Sequence, residues 1–394
     1  MRDTRYPKKP QMPISPLIKR PFLASSLPNW SGDPLNLDEY VIGVLPSEGI
    51  GPEIIGVTLD ILEHLSNVSA KRFDISIGGK IGLPARIESG NALSREVIEF
   101  CQSVFSRRGA ILCGPGGGRF VYDLRARFDL FCKFTPIRPA SALDDIGAIR
   151  PGSRTDVDMV VVRENTGGLY FGECATIADN EKSARHYFEY KEEHVQRILK
   201  VAITLASMRR NKLGVVLKPD GIPSISRLWQ QKLDELAANS GVDCQILEVD
   251  NAMYQIIANA RSFDVIVAPN MFGDILSDGA SLLLGSRGLS FSGNFDAAGH
   301  AVYQTGHGAA YDLAGSDTAN PIGQIFSLVM MLRESFGLHR QAYAIESAVA
   351  ETLRDGWRTA DIAAPGSKVV GTREMGKRIG DKLKEKMAAS AAGS

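Results

Sequence analysis

The stretch Leu213–Asp250, LGVVLKPDGIPSISRLWQQKLDELAANSGVDCQILEVD, reads as strand, helix, strand. Leu213–Leu217 and Gln245–Val249 are short apolar runs of strand length. Pro223–Ala238 between them is amphipathic, with proline in its first turn, where a missing N–H is harmless. The alternation continues outward. Strands are expected at Val41–Leu45, Phe73–Ile77, Ala110–Cys113, Asp158–Arg163 and Val265–Ala268, and helices at Pro52–Leu65, Glu192–Arg209 and Pro321–Phe336. Strands alternating with helices of this length predict an α/β fold with a mostly parallel sheet.

The 394 residues suit two or three ordinary domains or one large α/β unit. Lys+Arg and Asp+Glu both number 45, so there is no global attraction to nucleic acid or an anionic membrane. No apolar run reaches the ~18 residues of a membrane span. Five scattered cysteines without a C-x-x-C pair point to a reducing, cytoplasmic compartment and away from a disulfide framework or structural zinc. The first 32 residues stand apart, with six prolines and six basic residues against one acid, Asp3. Prolines at that density prevent a continuous helix, so residues 1–38 are expected to form a flexible or surface-draped arm, organellar import being the other reading.

Four glycine-rich segments invite a phosphate-loop reading: Gly49–Glu53, Gly114–Gly118, Gly167-Gly168 and Gly306-His307-Gly308. None has the spacing of a dinucleotide fingerprint or a P-loop, so a Rossmann assignment fails on motif. The carboxylates say more. Asp274 and Asp278 stand at i and i+4 after a buried strand ending at Ala268, one turn apart on one helix face. They repel unless a cation or a basic group lies between them, and oxygen-only donors favour Mg²⁺ or Mn²⁺. The alternative is a solvated face, which the flanking Ile275, Leu276, Leu282 and Leu283 weaken. Asp250 follows another strand, as a ligand or as a helix cap. Arg125, Arg138 and Arg163, beside buried segments, together suit a small polycarboxylate, although any one of them alone reads first as a surface ion pair.

Four segments together resemble the isocitrate/3-isopropylmalate dehydrogenase family of β-decarboxylating dehydrogenases: Leu45–Glu53, Val162–Glu173, Asn270–Asp278, and His307–Gly315 with Ala319-Asn320-Pro321. The similarity runs from about Tyr40 to Lys384. It implies a non-Rossmann α/β fold in two domains. Residues 39–132 and 285–394 would form a discontinuous cofactor-binding domain, and 133–284 a substrate and dimerisation domain. It further implies a homodimer with shared active sites, and oxidation of a 2-hydroxy di- or tricarboxylate to a 2-keto acid and CO₂ with NAD and Mg²⁺ or Mn²⁺.

The resemblance also assigns roles. Asp274 and Asp278 would hold the metal, with Asp250 supplied by the other subunit. Lys218 would be the base, its pKa lowered, and Tyr170 the acid. Arg125, Arg138 and Arg163 would clamp the carboxylates, while Arg119, Val121 and Tyr122 face the substrate's third arm. Ile50, His307, Gly308, Ala310 and Asn320 would contact the cofactor. Asp312-Leu313 replaces the Lys-Tyr pair of NADP-using members, which predicts NAD. Val121 and Tyr122 suit an apolar arm as in 3-isopropylmalate. Arg119 would suit the extra carboxylate of isocitrate or homoisocitrate, and tartrate and D-malate are further alternatives. A non-catalytic binding subunit is the competing class.

The chain departs from the family pattern in four places. Ser47-Glu48 replaces Gly-Asp, Gln304-Thr305-Gly306 replaces Glu-Pro-Val, an extra residue follows Lys218, and Arg138 lies three residues further from Arg125 than usual.

Overall fold

The computed structural model describes residues 23–28, 30, 37, 39–69, 71–174 and 184–392. Ten strands build one sheet: β1 (Glu39–Leu45), β2 (Arg72–Ile77), β3 (Ala110–Cys113), β4 (Cys132–Ile137), β5 (Met159–Glu164), β6 (Lys212–Leu217), β7 (Asp243–Glu248), β8 (Val265–Ala268), β9 (Phe291–Phe295) and β10 (Ala301–Thr305). Eleven helices accompany them: α1 (Gly51–Ser69), α2 (Gly82–Ser89), α3 (Arg95–Ser106), α4 (Phe120–Arg127), α5 (Glu192–Ser207), α6 (Pro223–Ala237), α7 (Val249–Ala258), α8 (Asn270–Ala280), α9 (Ile322–Glu334), α10 (His339–Arg354) and α11 (Thr372–Ala392).

The local chemistry explains several of these elements. Pro223 opens α6, where its ring pre-sets the helical φ. Ser94 caps α3 by accepting from the Val97 N–H at 3.3 Å. Val195, Ile198, Leu199, Ala202, Leu205 and Ala206 are the buried stripe of α5, the helical spacing that a core-facing helix requires.

The strand order is β2-β1-β3-β10-β9-β4-β5-β8-β6-β7. Two all-parallel blocks, β2-β1-β3-β10 and β5-β8-β6-β7, flank a centre in which β9 and β4 run antiparallel to their neighbours. The first block is drawn from both ends of the chain and the second from its middle. Periodicity located seven of the eight strands of these blocks to within a residue or two, but missed β10 and the antiparallel centre. Strands β9 and β10 bury Ser292, Asn294, Gln304 and Thr305. Asn294 donates to Val302 O at 3.2 Å and to Gln304 Oε1 at 3.3 Å, and accepts from Asn165 at 3.0 Å. These polar groups interrupt the buried Phe295, Ala301, Val302 and Tyr303, so neither strand reads as a continuous apolar run.

Most of the arm lies outside the described residues. Its described end is docked, which corrects the flexible reading there. Leu23 and Leu27 are buried, Trp30 sits edge-on to Phe295 at 5.4 Å, and Trp30 Nε1 donates to Glu334 O at 3.2 Å. The Ala24 N–H donates to the Glu334 carboxylate at 3.0 Å. Burial pushes that carboxyl up to about 7, from 4.5, against the pull of the Ala24 amide and Arg333. The folded state thus binds this proton more tightly than the unfolded chain, and stability is lost as pH rises from about 4.5 through 7. Glu334→Gln, uncharged throughout, should gain on the wild type over this window by roughly 1–3 kcal/mol in total. Thermal melts from pH 5 to pH 8 check this (about the window in which the group titrates); parallel curves for the two proteins would refute it.

Candidate active site

Strands β5, β8, β6 and β7 are mutually parallel, so their C-terminal ends share one edge, where open α/β sheets bind ligands. That edge carries Arg163 from β5, α8 with Asp274 and Asp278 after β8, Lys218 after β6, and Asp250 after β7. Strand β4 runs the other way and begins there, with Lys133 directly opposite Arg163.

Asp274 is the hub. It accepts from Arg163 Nη1 on one oxygen and from the Tyr170 phenol at 3.0 Å on the other. Arg163 is locked in turn, because its Nε donates to Asn270 Oδ1 at 2.9 Å. The Asn270 side chain donates to Gly167 O at 2.9 Å, and its backbone N–H donates to Tyr190 Oη at 2.8 Å. Gly273 is required here, since a Cβ would lie 2.8 Å from the Arg163 side chain. Burial opposes charge on Asp274, yet Arg163, Lys133, the Tyr170 phenol and Arg125 hold its carboxyl below the usual range. Burial and then Asp274 push the Tyr170 phenol up to about 12, so it keeps its proton at neutral pH.

The cations around this hub are under-used. Burial, then Arg163, push Arg125 down to about 9. The Nε of Arg125 and the Nη2 of Arg163 are buried without a hydrogen-bond partner among the described residues. Buried donors in native proteins are almost always paired, so these two fit an anion with carboxylate oxygens. Tyr122 walls the same space. Its ring lies 5.7 Å from the Arg125 guanidinium and 5.4 Å, edge-on, from the Tyr170 ring. Arg119 lies 5.4 Å from the same ring but is largely exposed and 3.8 Å from Asp123.

Several expected residues lie elsewhere. Arg138, just beyond β4, is 3.5 Å from Asp158 and is not brought into this group. Lys218 donates to Glu248 at 2.5 Å and to Asp250 at 3.0 Å. These two bonds raise its pKa, which corrects the expected lowering in the single chain. Asp250 is therefore spent on Lys218, and Asp278 accepts from Arg287 at 2.7 Å. Among the described residues no three His, Cys, Asp or Glu side chains are grouped as a metal site. Asp274 and Asp278 still offer oxygen donors one helical turn apart, which fit part of a Mg²⁺ or Mn²⁺ shell.

The glycine-rich loops meet in a second cluster. The Ile50 N–H donates to Ala309 O at 2.8 Å. A Cβ on Gly49, at φ 59°, would strike that same oxygen. His307 is pushed down by burial, and its Nε2 has no partner among the described residues. Gly308 O lies 3.0 Å from His307 Nδ1, and Ala310 is left-handed at φ 41°. Asn320 is fixed by bonds with Ile322 N at 3.0 Å and Asp361 at 3.1 Å. Asp312 and Leu313 are exposed on the rim.

Three contributors went unread in the sequence. Glu48, noted there only as a departure, is buried and accepts from the Leu83 and Gly117 N–H groups at 3.0 and 2.5 Å, tying two loops to the start of α2. Arg287 spans from Asp278 to Gly306 O at 3.5 Å, joining the carboxylate helix to the histidine loop. Lys133 is buried beside Arg125, Arg163 and Asp274. A charged residue alternating with apolar ones in Leu130–Ile137 was the available signal.

Residues 41–379 match the family model described as isocitrate/isopropylmalate dehydrogenase. The 3-isopropylmalate dehydrogenase of Geobacillus kaustophilus is 37% identical over 359 residues, covering 87% of this chain and 95% of the relative. That of Desulfitobacterium hafniense is 38% identical, covering 86% and 98%. Among solved structures, isocitrate dehydrogenase from Methylococcus capsulatus superposes with a TM-score of 0.77 at 27% identity, covering 88% of this chain and 99% of that one. The TT0538 protein of Thermus thermophilus gives 0.76 at 27% identity, covering 88% and 69%.

Proposed function

The chain belongs to the isocitrate/isopropylmalate dehydrogenase family of decarboxylating dehydrogenases, and from that premise we propose that it oxidises a 3-substituted (R)-malate of the 3-isopropylmalate type to a 2-keto acid and CO₂, using NAD and Mg²⁺ or Mn²⁺. The observation that carries this reading is the pair of buried, unpartnered guanidinium donors, Arg125 Nε and Arg163 Nη2, beside the Tyr122 ring. Two guanidinium groups suit a dicarboxylate, and the ring with Val121 suits an apolar third arm. Pairing of Arg119 with Asp123 draws charge away from that arm, which favours 3-isopropylmalate over isocitrate or homoisocitrate.

In this reading Arg125 and Arg163 orient the carboxylates, and Tyr122 keeps water from the reacting carbon. Tyr170, protonated and aimed by Asp274, returns a proton to the carbon that loses CO₂. Asp274 and Asp278 would hold the divalent ion. When bound, that ion supplies Lewis-acid polarisation of the substrate's oxygens and the nicotinamide accepts the hydride. Lys218 and Asp250 are assigned to a second copy's site, so that residues 133–284 serve dimerisation as well as substrate binding, while 39–132 and 285–394 hold the cofactor. Assembly there would replace the Glu248 and Asp250 bonds that keep Lys218 protonated.

The test is reduced-nicotinamide absorbance with Mn²⁺ and a panel of 3-isopropylmalate, isocitrate, homoisocitrate, tartrate and D-malate, each with NAD and NADP. Fastest turnover of 3-isopropylmalate with NAD is expected; a clear preference for a tricarboxylate would reject the apolar arm. Asp312 can accept from ribose hydroxyls and repels a 2′-phosphate. Asp312→Lys should therefore move the NAD/NADP ratio of kcat/KM toward NADP by about 10- to 100-fold. An unchanged ratio would remove Asp312 from the cofactor site.

A further inference from the structure

We propose that Lys133 is a substrate-binding, specificity-determining residue that completes, with Arg125 and Arg163, the cationic clamp for the carboxylates of the hydroxy acid. The proposal rests on the functional reading above for the class of ligand, and on the following geometry for the residue.

Lys133 is the second residue of β4 and stands directly opposite Arg163 of β5. Opposed residues of an antiparallel pair project on the same face with neighbouring Cβ atoms, so the lysine faces the arginine's pocket. On its other side it is paired with Asn294 of β9, whose amide is already engaged with Asn165, Val302 and Gln304. The residue is only 8% exposed, and among the described residues no hydrogen bond or close ion pair reaches its ammonium. The charges that face it are Arg125, Arg163, Asp274 and Asp278. Asp274 already serves Arg163 and Tyr170, and Asp278 serves Arg287. Three buried cations thus converge on one shared carboxylate. Burial, then Arg125 and Arg163, push this amine down to about 7, so it holds its charge fully only with an anion beside it, and a lysine held only for packing would be better replaced by a methionine or leucine. The missing anion is a ligand. Arg138, the third cation anticipated from sequence, lies with Asp158 instead. As a compact point charge, an ammonium binds one carboxylate oxygen without the planar fork of a guanidinium.

The experiment compares wild type, Lys133→Met and Lys133→Arg in two measurements. One is calorimetric titration with D-malate in the presence of Mg²⁺ and without nucleotide. The other is steady-state kinetics with the best substrate of the panel. Lys133→Met should raise the Kd for D-malate and the KM for the hydroxy acid by roughly 10- to 100-fold. The KM for the nucleotide should stay within about two-fold, since the pocket argued here touches only the acid. Removing an unpaired buried charge should leave the thermal midpoint equal or higher. Lys133→Arg should recover most of the binding. Wild-type Kd in Lys133→Met, equal loss of acid and nucleotide affinity, or no D-malate binding by the wild type would each overturn the proposal. The two readings fail separately. Turnover of 3-isopropylmalate with an unchanged KM in Lys133→Met removes the clamp lysine alone. Lys133-dependent D-malate binding without turnover of any panel member supports the clamp and rejects the substrate assignment.

Discussion

Asp274→Asn should lower kcat by at least about 10³-fold and leave the protein folded. Asparagine matches aspartate in size, so α8 and its packing on β5 persist. What is lost is the charge at the centre of the site. Asp274 fixes Arg163 through one oxygen and the Tyr170 phenol through the other, and it is one of two aspartates available on α8 for a divalent ion. The amide can keep one of these hydrogen bonds through its oxygen but offers a poor ligand to a hard cation. The loss belongs chiefly in kcat, because Arg125, Lys133 and Arg163 still attract the carboxylates. Stability should fall by about 2–4 kcal/mol, because Arg163, only 2% exposed, is left without its carboxylate, while the 36% exposure of the Asp274 side chain lets solvent offset part of the loss. Circular dichroism, Mn²⁺ titration and turnover on one preparation check all three statements. Near-normal turnover would overturn the site.

Equal mixing of Asp274→Asn with Lys218→Met should restore activity that neither variant has alone. Within one chain, Asp274 lies with Arg163 and Tyr170, whereas Lys218 lies with Glu248 and Asp250. If the two groups face each other across a two-fold axis, each site takes Asp274 from one copy and Lys218 from the other. Random reassociation yields mixed dimers in half the population, each with one intact site of two, so recovery should approach about a quarter of wild-type activity. Lys218→Met alone should lose about 10²–10⁴-fold, the usual contribution of a general base. No recovery after verified subunit exchange would place both halves of the chemistry within one chain, or remove Lys218 from it.

The sequence was most legible where burial is apolar and repeats with a fixed period. Strands β3 and β8 lie where their apolar runs put them, and α6 begins at its proline. The i, i+4 aspartates of α8 also needed only helical geometry. Legibility failed where polar groups are buried against one another. Strands β9 and β10 carry serine, asparagine and glutamine inward, and β4 carries a lysine, a threonine and Pro136. The polar residues break up the apolar runs of such strands; only the ladder shows that Lys133 and Arg163 share a face. The protonation of Lys218 failed differently. Its lowering was inferred from an assembled site, and the single chain supplies two carboxylates that act the other way.

The antiparallel centre of the sheet has a mechanical consequence. The two parallel blocks are not tethered by a loose linker. They are fused through β9 and β4, whose ladder has three rungs, Gly293–Phe134, Asn294–Lys133 and Phe295–Cys132. A hinge motion of one block against the other would therefore work as torsion of this short ladder. The rung bearing Lys133 would rotate with it, so the proposed clamp residue would move with any such torsion. Amide hydrogen exchange at Lys133 and Asn294 would then report such a motion from inside the sheet, where a linker-hinged enzyme would be silent.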